Sequence, residues 1–157
     1  LVDADVTLIS LADYPMPLFG ADALPRRPAS AEKFAGMIRS HHGLFLAAAE
    51  EHGTIPVLLA NALAWAASSD PSPLSGRPVA LGVAAPDLVA AGRAEDALRR
   101  TLPAGHQALV APHSVLIADR PGSFAEHGRL AEPRDQATVQ TAARALAHFA
   151  RRLLPDI

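Results

Sequence analysis

Cysteine is missing from all 157 residues. This chain therefore forms no disulfide, ligates no iron–sulfur cluster and offers no thiol nucleophile, and the composition fits a reducing compartment. Lysine is nearly missing too: 13 of the 14 cationic side chains are arginine, and Lys33 is the single lysine. The formal net charge is −2, so there is no basic excess to attract nucleic acid or an acidic membrane surface. No apolar run approaches the roughly 20 residues of a bilayer-crossing helix. The first ten residues, LVDADVTLIS, lack the basic start and long apolar centre of a secretory signal. The expectation is a soluble cytoplasmic protein with neither nucleic acid nor membrane as partner.

What is present is a half-hydrophobic sequence long enough for one domain over 1–157. Val6 to Leu11 is a short run rich in β-branched residues and reads as a strand. Pro15, Pro17, Gly20, Pro25 and Pro28 then forbid regular structure over most of 12–28. Ser30 is placed to cap a helix in which Phe34, Met37 and Ile38 form the buried stripe. Leu44 to Ala48 is apolar throughout, as a central parallel strand should be. Pro56 suits the first turn of a helix in which only Asn61 is polar between Val57 and Ala67. A helix that apolar is buried on every side or covers a partner subunit.

Asp70-Pro-Ser-Pro reads as a surface loop, followed by a strand over Val79 to Ala84. Ala91 to Leu102 reads as an amphipathic helix with Ala94, Leu98 and Leu102 inward. Its outer face has Glu95–Arg99 and Asp96–Arg100 in the favourable i, i+4 order. Gln107 to Ala111 and Ser114 to Ala118 add strand at the sheet edge, and Pro133 to Leu153 is the last helix. Strands alternating with helices predict an α/β doubly wound domain.

Several segments in this order resemble the NADPH-dependent FMN reductase family. Leu46 to Trp65, LAAAEEHGTIPVLLANALAW, is similar to the family pattern ATPEYNGSIPGxLKNALDW. The run from Ile9 to Phe19 resembles the family's second strand and its proline-rich exit. Gly76-Arg-Pro-Val-Ala-Leu resembles GKPVAL, Gly92-Arg-Ala-Glu-Asp-Ala-Leu-Arg resembles GxRAxxxLR, and Phe124-Ala-Glu-His-Gly-Arg-Leu resembles FDEDGRL. The resemblance implies a flavodoxin-like parallel sheet in three α/β/α layers. It also implies FMN as cofactor, NADPH or NADH as donor, a small-molecule electron acceptor, and a homodimer or homotetramer with the flavin near the interface.

The departures are as informative. Nothing before Val6 corresponds to the family's first strand and its GSxRxxS phosphate loop, a unit on the order of 30 residues. In the flavodoxin strand order 2-1-3-4-5 that strand lies between the first two strands read here. A slot would be left in the sheet, so the domain is incomplete at its N-terminus, or the sheet re-pairs, or another segment fills the slot; incompleteness is the expectation adopted.

In the isoalloxazine loop Glu50, Gly53, Thr54, Ile55 and Pro56 follow the family, while Ala49, Glu51 and His52 replace Pro, Tyr and Asn. Because the family loop works mainly through backbone groups, the implied flavin contacts are Glu50, Glu51, His52, Gly53, Thr54 and Ile55. The other edge of the ring falls to Pro86, Asp87, Leu88 and Val89, where the family has a glycine-rich SPGxxGG. Glu51 sets an anion near a ring that gains negative charge on reduction, which disfavours reduction. His52 is either a flavin or substrate partner or a solvated loop histidine.

The implied function is hydride transfer from NAD(P)H through FMN to an acceptor such as a quinone, an azo compound or free flavin, with no catalytic side chain and no metal. The alternative is a non-catalytic relative that keeps the fold for subunit association and no longer binds flavin; in either case the helix from Val57 is core or a dimer surface, with Asn61 as the one polar group specifying that surface.

Overall fold

The computed structural model describes residues 4–69 and 71–153, so Asp70 of the expected surface loop lies outside the described residues. Three strands form one wholly parallel sheet in the order β1 (Leu44–Ala49), β2 (Pro78–Ala85), β3 (Leu109–Ala118). Four helices accompany them: α1 (Ala29–Arg39), α2 (Val57–Ala67), α3 (Leu88–His106) and α4 (Pro133–Leu153). None of these helices is long and apolar enough to cross a membrane.

The alternation of side chains along β2 sorts the layers. Val79, Leu81, Val83 and Ala85 join Phe34 and Ile38 of α1, Leu59 and Leu63 of α2, and Leu98 and Leu102 of α3 in the larger core. Ala84 belongs instead to the smaller core, where Val115 and Ile117 of β3 meet Val139 and Ala142 of α4. The result is an α/β/α sandwich with three helices on one face and one on the other. Gly82 faces the α4 side of the sheet. The Phe45 ring lies across it, and a Cβ there would stand 2.8 Å from the ring edge.

β3 runs unbroken through Pro112, where the sequence pattern places a gap between two strand segments. Proline has no N–H for the ladder, so the pairing slips between Val79↔Val110 and Leu81↔Ser114, an irregularity of the kind proline imposes in sheets. α3 satisfies the groups this frees. Arg99 Nη2 donates to Pro112 O (3.1 Å) and to Ser114 Oγ (2.8 Å), while Ser114 Oγ donates to Glu95 Oε1 (2.7 Å). The expected Glu95–Arg99 and Asp96–Arg100 pairs both form.

Two helix starts differ from expectation. α1 begins behind Pro28, and the Ser30 hydroxyl donates to Pro15 O instead of capping the helix. α3 begins at Leu88 because the Asp87 carboxylate accepts the Ala90 N–H (2.8 Å), and it continues through Pro103 to His106.

The expected strand over Val6 to Leu11 does not form. Residues 5–10 pair with no strand, Val6 and Leu8 are 85% and 95% exposed, and the segment ends in a 3-10 turn at Leu11–Asp13. A strand exists only where a neighbour completes its ladder. Between this segment and the outer edge of β1 lies a cleft of about 700 Å³ instead. The sheet has not re-paired across it, and no described segment fills it.

Downstream, residues 14–19 are strapped onto α1 and α2. Asn61 Oδ1 accepts the Phe19 N–H (2.7 Å), and Asn61 Nδ2 and Trp65 Nε1 both donate to Pro17 O (3.0 and 2.8 Å). Phe19 also meets the fully buried Trp65 edge-on at 5.1 Å. Asn61 thus uses its amide within its own chain, against the expectation that it specifies an interface between subunits.

Candidate functional site

In an open parallel sheet the crevice outside the carboxyl ends of the strands is where ligands bind. Here Ala49 of β1 is in register with Ala84 of β2. The loops that follow, 50–56 and 86–87, therefore leave the sheet side by side, and the sequence-derived site residues fall into these two loops and the first turn of α3.

The first loop is tightly built. Glu50 N–H extends the ladder by donating to Ala84 O (2.9 Å). Glu51 and Thr54 exchange both backbone hydrogen bonds (2.9 and 3.0 Å) across His52 and Gly53. Both central residues have positive φ, 51° and 82°, the signature of a type I′ turn. Glycine enters that region freely; a histidine there costs on the order of 1 kcal/mol. The Glu50 carboxylate then accepts the Gly53 N–H. The N–H groups of His52 and Ile55 are the loop donors without an internal partner.

Glu51, His52, Gly53 and Thr54 are exposed, and Glu50 and Ile55 are half-buried. In the second loop Pro86, Asp87, Leu88 and Val89 are all exposed, with Asp87 committed to capping α3.

The turn opens onto the cleft. Leu8 to Leu11 and Asp13 line one side; Ala47 to Ala49, Glu51, Pro56 and Leu58 line the other. Its walls are mainly apolar, and it occupies the slot that the flavodoxin strand order leaves beside β1, so its size is that of an unfilled strand position and not of a ligand pocket. Leu58 and Ala47 to Ala49 line this cleft but lie outside the sequence-derived site. No sequence signal marks them: LFLAAA is apolar at every position, and which of its side chains face solvent is set by the fold.

Two features suit the ring system of FMN: two backbone donors without a partner in the loop, and a turn with glycine at its centre. The described residues hold no glycine- and serine-rich loop that would receive its phosphate.

Parallel strands, helices on both faces and a loop-built crevice at the carboxyl edge define a flavodoxin-like protein. Solved structures share that fold. The flavoenzyme NAD(P)H:(acceptor) oxidoreductase FerB of Paracoccus denitrificans superposes with a TM-score of 0.76 at 18% identity, over 90% of this chain and 78% of its own. An oxidoreductase of Corynebacterium diphtheriae superposes with a TM-score of 0.63 at 19% identity, over 83% and 68%.

The sequence profile of the NADPH-dependent FMN reductases matches residues 1–121, and the chain belongs to that family. Among its relatives, the NAD(P)H-dependent FMN reductase of Pseudomonas aeruginosa is 30% identical over 147 residues, 92% of this chain and 80% of that protein. The quinone reductase of Escherichia coli is 31% identical over 97 residues, 60% of this chain and half of that protein. The family reduces with NAD(P)H through FMN, and the chain is an oxidoreductase of that kind.

Proposed function

We propose that the protein takes hydride from NADPH or NADH on FMN and passes the electrons to a small acceptor such as a quinone, an azo compound or free flavin. One observation carries this reading: a glycine-dependent turn whose His52 and Ile55 N–H groups have no partner within the loop stands at the carboxyl edge of the sheet, beside the loop that follows β2. FMN, when bound, supplies the hydride chemistry, and the protein supplies position and a dry surface.

His52 and Ile55 N–H would hold the polar edge of the ring, with Pro86 to Val89 along its other edge. No side chain is required as nucleophile. We further infer a single domain working in the cytoplasm as a homodimer. Exposed Val57, Leu58, Leu88 and Val89 rim the site at the first turns of neighbouring helices, as a partner-covered surface would.

The test is to titrate the purified chain with FMN, following flavin fluorescence, and then to supply NADPH and a quinone. Saturable binding with NADPH consumption is the expected outcome. A chain that binds no FMN would support subunit association without catalysis instead.

A further inference from the structure

Glu50 stands apart from the rest of the loop because it is the one side chain there that holds the loop's own backbone. Its carboxylate accepts the Gly53 N–H, in the middle of a turn whose two central residues are both left-handed. Three of the turn's donors are thereby consumed internally: Glu51 and Thr54 in the mutual pair and Gly53 on Glu50. The two that are left, His52 and Ile55, flank Gly53 and Thr54.

We propose that Glu50 is a positioning residue for the isoalloxazine, a clasp that fixes the turn so that the His52 and Ile55 N–H groups are held ready for the ring. This rests on the loop being the seat of the flavin. The physical reason is preorganisation. A left-handed histidine is strained, and an exposed two-residue turn without the clasp would populate other conformers. Flavin binding would then have to order it again and would weaken by that amount. A hydrogen bond accepted by a charged group is the stronger kind, which suits it to hold such a turn.

The clasp has a second consequence. With FMN seated on this loop, the clasp would hold a carboxylate beside a ring that gains negative charge on reduction, and so would lower the potential of the bound flavin. Glu50 thus does two separable things: its oxygen holds the turn, and its charge sets the potential.

Glu50→Gln and Glu50→Ala separate them. Glutamine keeps an oxygen acceptor for the Gly53 N–H without the charge; alanine keeps neither. Four measurements are made: amide hydrogen exchange at Gly53 without flavin, FMN affinity by fluorescence titration, the reduction potential of bound FMN, and the thermal midpoint.

Glu50→Ala is expected to speed Gly53 exchange and to weaken FMN about tenfold, the scale of one hydrogen bond to a charged group. Its thermal midpoint stays near the wild type's, since the turn lies outside the core. Glu50→Gln is expected to hold FMN within about twofold, on the same scale, and to raise its potential. Unchanged exchange and FMN affinity in Glu50→Ala overturns the clasp, as does Glu50→Gln losing affinity as fully as alanine. Failure of the wild type to bind FMN overturns the flavin seat, and Gly53 exchange then reports on the clasp by itself.

Discussion

His106 carries an acid sensitivity that no sequence pattern announces. It sits at the end of α3 with only 5% of its surface exposed, and its Nδ1 is buried without a hydrogen-bond partner. Burial pushes its pKa below the ordinary 6.5, because the charged form would have to be desolvated. The position at a helix C-terminus favours a cation, but desolvation wins. The unfolded chain therefore binds the proton more readily than the folded one, and stability rises with pH in that window. The contribution is complete above about pH 6.5 and is lost as pH falls from there through the lowered folded value. Thermal midpoints recorded between pH 7.5 and 5 should decline, and His106→Leu should decline less over the same range. Equal slopes for the two proteins would assign the effect elsewhere.

Secondary-structure elements were legible in the sequence wherever periodicity coincided with tertiary support, and illegible where one of the two acted alone. β1, β2, α2 and α4 fall where their apolar runs place them, but β1, expected as a central strand, lies at the sheet edge with Phe45, Ala47 and Ala49 exposed, and α2 leaves Val57 and Leu58 exposed. Val6 to Leu11 has the composition of a strand but no ladder neighbour, so it stays extended and exposed. Pro112 looked like a strand breaker; a bulge and three side chains of the Glu95, Arg99 and Ser114 network keep the strand continuous. For the site, Gly53 marked the turn, but nothing in the sequence reported that Glu50 clasps it or that Asp87 is spent on capping.

The long-range strap over 14–19 is the clearest case of what sequence leaves unsaid. Asn61 read as the odd polar residue of a buried helix, and its two partners lie more than forty positions away. Replacing Asn61 with Leu leaves the Phe19 N–H without its acceptor and should cost about 1–3 kcal/mol. Residues 14–19 should then become the first site of limited proteolysis. A variant melting with the wild type and cut at the same sites would show that Trp65 holds the strap unaided.

At the scale of the whole molecule, the asymmetry of the sandwich and the rim of the cleft lead to the same question of what covers the apolar surface. Three helices shield one face of the sheet and α4 alone shields the other, so Phe45, Ala47 and Ala49 of β1 remain exposed. At the carboxyl edge Val57 is 68% and Val89 69% exposed, an arrangement of large apolar side chains that solitary proteins tend to avoid. Because β1 and β2 are neighbours, the first turns of α2 and α3 present these residues as one rim. A second copy meeting that rim would bury them and enclose the mouth of the cleft. Light scattering should then give twice the chain mass, and Val89→Asp combined with Val57→Asp should return it toward a single chain, since two carboxylates per subunit would be desolvated at the contact. FMN affinity should fall with the mass if the partner helps to enclose the ring, and should hold if the cleft of one chain suffices. A wild type that stays at single-chain mass at high concentration would end the dimer proposal while leaving the flavin seat intact.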